Sequence, residues 1–177
     1  DRCGRLRAVR RHGAGGGGSM MSMDAITAQG FTIANFCDTS GNPSPAKVYR
    51  AFLEADALSK WIAPYGFTCT VHHIEAKVGG TFKMSFRNFG SGNGHSFGGE
   101  YLELVPGERL RYTDRFDDPN LPGTLEVTVT LKPVVCGTEL SAMQTGIPEV
   151  IPLEMCYLGW QESLAQLATL VEPDIPG

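Results

Sequence analysis

The sequence predicts an α+β fold: a curved antiparallel β-sheet wrapped around a long C-terminal helix, with two short helices after the first strand. Three observations predict it. Five segments of β composition follow one another between residues 67 and 133, each closed by turn chemistry and none interrupted by helical periodicity. Two short amphipathic stretches between residues 44 and 61 open on capping residues. From about residue 152 to 171, apolar residues recur every three or four positions, a stripe that as a helix would run roughly 30 Å. Strands grouped together and helices set apart from them are the signature of α+β rather than of a parallel α/β sheet.

The elements follow in order. Residues 31–36 alternate Phe31, Ile33 and Asn35 against Thr32, Ala34 and Phe36, a short first strand. Asp38, Ser40, Gly41, Asn42 and Pro43 make a loop. Ser44 as N-cap and Pro45 at the first helical position then open a helix carrying Val48, Ala51, Phe52 and Ala55 on one face. Asp56 is expected to cap a second short helix through Trp61, stopped by Pro64. Strands are expected over 67–77, 81–88, 97–105, 109–116, 124–133 and 138–145, with Gly79-Gly80 and Pro106-Gly107 as hairpin turns. Alternation is cleanest in the fifth, where Leu125, Val127, Val129 and Leu131 oppose Glu126, Thr128, Thr130 and Lys132. In the final helix Leu153, Cys156 or Tyr157, Trp160, Leu164, Leu167 and Val171 form the apolar stripe. Gly159 lies inside it at a cost of about 1 kcal/mol relative to alanine, and close backbone approach is the expected reason.

Composition bounds the function. A chain of 177 residues with 42% hydrophobic and 19% charged residues is the size and character of one globular domain. No apolar run approaches a membrane span. Five arginines crowd the first eleven residues, while from residue 20 onward ten Lys/Arg face eighteen Asp/Glu. An acidic body repels phosphate backbones, so nucleic acid is not an expected partner, nor is a membrane. Residues 1–23, with their Gly/Ser run, read as a disordered leader or appended linker, and 24–177 as a single domain. Five scattered cysteines without C-x-x-C spacing point to free thiols in a reducing cytoplasm.

Signatures of strong catalytic sites are absent from the chain. His73-Ile74-Glu75 has the spacing of a zinc deaminase but lacks the cysteine pair. The glycine-rich stretch 90–94 lies between strands and opens no helix, so it reads as a loop beside a cavity mouth rather than as a phosphate cradle. His72, His73 and His95 do not make a metal site, because adjacent strand residues face opposite ways. No metal or cofactor is expected. Polar groups on core faces carry more weight. Tyr112 and Asp114 share the side of Leu110 and Phe116; Gln144 follows Leu140 and Ala142; His73 follows Phe67, Cys69 and Val71. Such groups satisfy one another, fray outward at strand ends, or meet a ligand. The last reading gives a pocket lined by Trp61, Met84, Phe86, Phe97 and Met155, with His73, Tyr112, Asp114 and Gln144 orienting its occupant.

Five stretches also carry a family resemblance: VYRAFLEADALSKWIAPYGFT (48–68), the 75–80 turn followed by Phe82, GGEYLELVPGERLRYT (98–113), VTVTLKP with the later GTEL (127–133, 137–140), and LGWQESLAQL (158–167). Together they resemble the SRPBCC superfamily, the START-like, birch-pollen-allergen-like helix-grip proteins, and within it the activator-of-heat-shock-protein-ATPase homologues. The resemblance spans about 31–171 and implies the helix-grip fold. Proteins of this kind include chaperone activators, lipid and steroid carriers and aromatic polyketide cyclases, so it implies no single function. The leading expectation is a binding protein for a small hydrophobic or aromatic molecule, acting as monomer or homodimer. Two alternatives stand beside it: a cyclase, dehydratase or hydrolase using His73 or Asp114 as acid or base, and a stress-response protein that docks on a chaperone ATPase.

Overall fold

The computed structural model describes residues 43–135 and 137–176, together with the backbone of three short strand segments ahead of them. Of these, β1 (Arg7–Ala8) and β2 (Met21–Ser22) pair antiparallel with each other, and β3 (Asn35–Cys37) joins the main sheet. The expected leader and the start of the expected first strand otherwise lie outside the described residues.

Two short helices, α1 (Pro45–Ala51) and α2 (Ala55–Trp61), come next. Six strands follow: β4 (Phe67–Ile74), β5 (Thr81–Asn88), β6 (Gly94–Val105), β7 (Arg109–Phe116), β8 (Leu125–Val134) and β9 (Gly137–Thr145). The long helix α3 (Leu153–Val171) closes the chain. In the sheet the order is β3-β9-β8-β7-β6-β5-β4, antiparallel throughout, so β4 to β9 form an unbroken meander. The sheet curls into a half-barrel with the helices set against it, the α+β helix-grip architecture expected.

Local chemistry explains the elements. Ser44 caps α1 as expected, its Oγ accepting from the Lys47 N–H at 3.2 Å with Pro45 beside it. Asp56 does not cap α2. Glu54 holds that position without a side-chain bond, and Asp56 sits in the first turn, where its charge favours the helix dipole. Along β8 the alternating residues Leu125, Val127, Val129 and Leu131 are all at most 3% exposed. Gly99 of β6 sits so close to β7 that a Cβ would stand 1.8 Å from the Thr113 carbonyl oxygen, which leaves glycine as the residue that fits.

Helices and sheet are tied by buried polar bonds. The Trp61 indole N–H donates to the Ala51 carbonyl at 2.8 Å, closing α1 on α2, while its ring packs edge-on against Phe52. Ser163 of α3 donates to the Ile62 carbonyl at 2.7 Å and Gln166 to the Ala63 carbonyl, so the end of α2 is held on α3. Thr138, fully buried, donates to the Pro43 carbonyl at 2.7 Å and anchors the entry of α1 on β9. Leu164, Leu167 and Val171 meet the sheet in one apolar core with Leu110, Val129 and Leu140.

Candidate functional site

The concave face of the sheet is not filled from end to end. Between the first half of α3 and strands β5 to β9 lies a pocket of about 350 Å³. Its strand wall follows from period-two alternation. Phe82, Met84 and Phe86 come from β5, His95, Phe97 and Tyr101 from β6, and Tyr112, Asp114 and Phe116 from β7. Val127 and Gln144 extend the wall onto β8 and β9. Opposite them stand Ile151, Met155, Cys156, Gly159, Trp160 and Ser163, with Ile62, Pro64 and Phe67 at the side of α2.

Aromatic rings dominate the lining. Phe86 and Phe97 meet edge to face at 4.7 Å, Phe82 and Tyr112 at 5.5 Å, and Phe97 and Phe116 at 6.4 Å. Rigid rings that touch at their edges leave gaps that flexible aliphatic chains would close, so the wall is stiff and the space stays open.

Polar groups are few and come from several elements. Asp114 borders the pocket, and its carboxylate accepts from the Arg115 backbone N–H while Oδ1 is enclosed and has no hydrogen-bond partner. Burial raises its pKa to about 7, opposed by that N–H and by the charge of Lys83. Two residues along, burial and the neighbouring Asp114 carboxylate raise the Tyr112 hydroxyl well above its usual range. Gln144 accepts from the Trp160 indole N–H at 3.0 Å, which joins β9 to α3 across the pocket. His95 lies among Phe86, Phe97 and Phe116, and burial lowers its pKa against the pull of Asp118. Among the described residues the lining contains no lysine or arginine.

Of the residues singled out from the sequence, Met84, Phe86, Phe97, Tyr112, Asp114, Gln144 and Met155 come together here. Trp61 and His73 do not. Trp61 is fully buried between α1 and α2, spent on the Phe52 ring and the Ala51 carbonyl. His73 lies on the outside. A register shift between Val71 and His73 breaks the parity of β4, so Ile74 pairs with Phe82 while the exposed His73 ring bonds Thr81 Oγ1 at 3.0 Å. Gly159 also departs from expectation. No neighbour lies within 4 Å of where its Cβ would stand, so it faces open space rather than a closely packed backbone.

Sequence reading missed Phe82, His95, Tyr101 and Phe116 as pocket residues, although parity from Met84, Phe97 and Asp114 reaches each of them. Trp160 lies on the expected apolar stripe of α3, and its indole also spans the pocket to Gln144.

The geometry defines a class first: a helix-grip domain with an open, largely aromatic pocket on its concave face. Residues 42–172 match the family described as activator of Hsp90 ATPase homolog 1-like protein, and the chain belongs to that family. A crystal structure of a Chromobacterium violaceum protein is 61% identical, with a TM-score of 0.74 over 75% of this chain and 92% of its own. More distant structures share the fold alone. One is a Rhodobacter sphaeroides protein, 20% identical with a TM-score of 0.65 over 77% of this chain and 93% of its own. Another is the AHSA1-like protein of Aeromonas hydrophila, 20% identical with a TM-score of 0.60 over 73% of this chain and 85% of its own. No curated protein matches the chain. Among the described residues no helix is long and apolar enough to cross a membrane.

Proposed function

We propose that this chain is a binding protein that takes up a small hydrophobic or aromatic molecule between the sheet and α3. One observation carries the reading: a pocket of about 350 Å³ with a largely aromatic lining and a few polar side chains set among the rings, the composition of a small-molecule site. Apolar walls supply the affinity by removing ligand surface from water, and Tyr112, Asp114 and Gln144 supply orientation. Free thiols at Cys69 and Cys156 support a reducing, cytoplasmic setting.

A filled-pocket variant tests the proposal. Gly159→Trp places a large ring where open space now lies, and it is expected to abolish the fluorescence gain of an apolar dye that the parent protein shows. Native mass spectrometry of protein from its own host is the companion measurement, with a retained small molecule as the expected result. Dye binding equal in parent and variant, with no retained mass, overturns the reading.

Asp114 favours a second reading. A carboxyl group whose pKa is raised to about 7, beside Tyr112, is tuned for proton transfer near neutral pH, as a cyclase, dehydratase or hydrolase would need. Turnover of the retained molecule, lost in Asp114→Asn, separates enzyme from carrier. Docking on a chaperone ATPase rests on the family description, and co-purification of the chaperone tests it.

A further inference from the structure

We propose that the pocket selects an organic cation: an amine whose apolar body lies among Phe82, Phe86, Phe97 and Phe116 and whose ammonium group donates to the Asp114 carboxylate. This rests on the reading of the pocket as a ligand site and names the chemistry of its occupant.

The charge inventory of the wall points this way. Among the described residues the lining holds one carboxyl group and no lysine or arginine, so its charge is zero or negative unless His95 is protonated. Burial works against that protonation. A carboxylate or phosphate head would enter without a counter-charge and beside Asp114, which is repulsive in a low-dielectric space. A cation meets the opposite situation. Ring faces attract positive charge, and five of the rings bordering the pocket, Phe82, Phe86, Phe97, Tyr112 and Phe116, stand together on β5 to β7.

The second element is the unmatched acceptor. Asp114 Oδ1 is closed to solvent without a donor, and a buried acceptor left in that state is costly. The carboxyl torsion of aspartate is broad, so either oxygen turns toward the pocket at small cost. An ammonium group supplies several N–H donors and the compensating charge at once.

The groups around Asp114 are accounted for. Tyr112 on its own strand and Tyr101 on β6 are held protonated by burial. Lys83 of β5 is engaged by Asp117 outside the pocket. His95 of β6 is biased toward its neutral form, and α3 presents Cys156, whose thiol burial pushes up to about 11. From β8 and β9 come Val127 and Gln144. On acidification Asp114 loses its charge at about 7, ahead of His95, whose pKa is held below its ordinary value and which therefore gains charge at lower pH.

Three probes of one shape test the inference: phenylbutylamine, phenylbutanol and phenylbutyrate, measured by isothermal titration calorimetry. Near pH 8.5 the amine is expected to bind at least about tenfold tighter than the alcohol, and the butyrate weakest. Lowering the pH to about 6, roughly one unit below the Asp114 pKa, should weaken the amine about tenfold by linkage and leave the alcohol unchanged. Asp114→Asn should remove the amine's advantage and its pH dependence while keeping the alcohol's affinity. A carboxyl-carbon NMR titration of the parent adds a measurement that needs no variant: saturating amine should lower the Asp114 midpoint, and the alcohol should not. If the alcohol binds and the amine is no tighter, or if the butyrate is tightest, the cation proposal is overturned and the pocket reading survives. If none of the three binds, both fall.

Discussion

The concave face of the sheet has two halves built on the same alternation, and they end in opposite states. Toward the C-terminal half of α3, the inward residues are aliphatic: Leu110, Val129, Leu131 and Leu140 meet Leu164, Leu167 and Val171, none more than 3% exposed. Toward the N-terminal half of α3 the inward residues are mostly aromatic or polar, with Met84 and Val127 among them, and the helix presents Met155, Cys156, Gly159 and Trp160 over a pocket. Met155 is 63% exposed where Leu164 is 2% exposed, on one continuous helix. Branched aliphatic chains interlock and close space, whereas rings packed by their edges and a glycine on the facing helix hold it open. The closed core and the open pocket thereby lie at different ends of the same two elements.

Substitutions at the two ends should separate these roles. The largest effect belongs to the solid half: Leu164→Ala is expected to cost about 2 to 5 kcal/mol in chemical denaturation, while Met155→Ala on the same helix costs under about 1 kcal/mol. Equal losses would erase the division.

Next is Asp114→Asn. The native carboxyl titrates near 7, far above the unfolded value near 4, so between those limits the native state binds more protons and stability falls as pH rises. The parent should therefore lose about 2 to 4 kcal/mol between pH 4 and pH 8 from this group, and the Asn variant should not. Thermal melts of both proteins across that range are the check, with parallel profiles as the contrary result.

Gly159→Ala sharpens the contrast in a third way. A methyl group there meets no neighbour, so the helix should gain about 0.5 to 1 kcal/mol while the pocket narrows. Higher stability together with weaker binding of an apolar probe is the expected pair of outcomes. The smallest effect is at His73→Ala, outside the pocket: stability should stay within about 0.5 kcal/mol and probe binding should be unchanged.

Much of this was legible before any coordinates. Strand parity placed Tyr112 and Asp114 with Leu110 and Phe116, and Gln144 with Leu140, because side chains alternate strictly along an undisturbed strand. The same rule failed at His73, where one extra residue in β4 reverses the faces and no local residue type announces the shift. Trp61 was misplaced for another reason: a tryptophan suits a pocket wall or a helix junction equally well, and the partner that decides is the Ala51 carbonyl, fixed by how α1 turns into α2.

The sequence by itself determined the element order from β3 onward, the Ser44 cap, the apolar stripe of α3 and the antiparallel meander, since each depends on neighbours a few residues apart. Which part of the stripe closes on the sheet and which part spans open space was decided by tertiary structure alone. That outcome depends on how side-chain volumes from five strands and one helix sum at each level of the concave face, a property no single strand or helix carries.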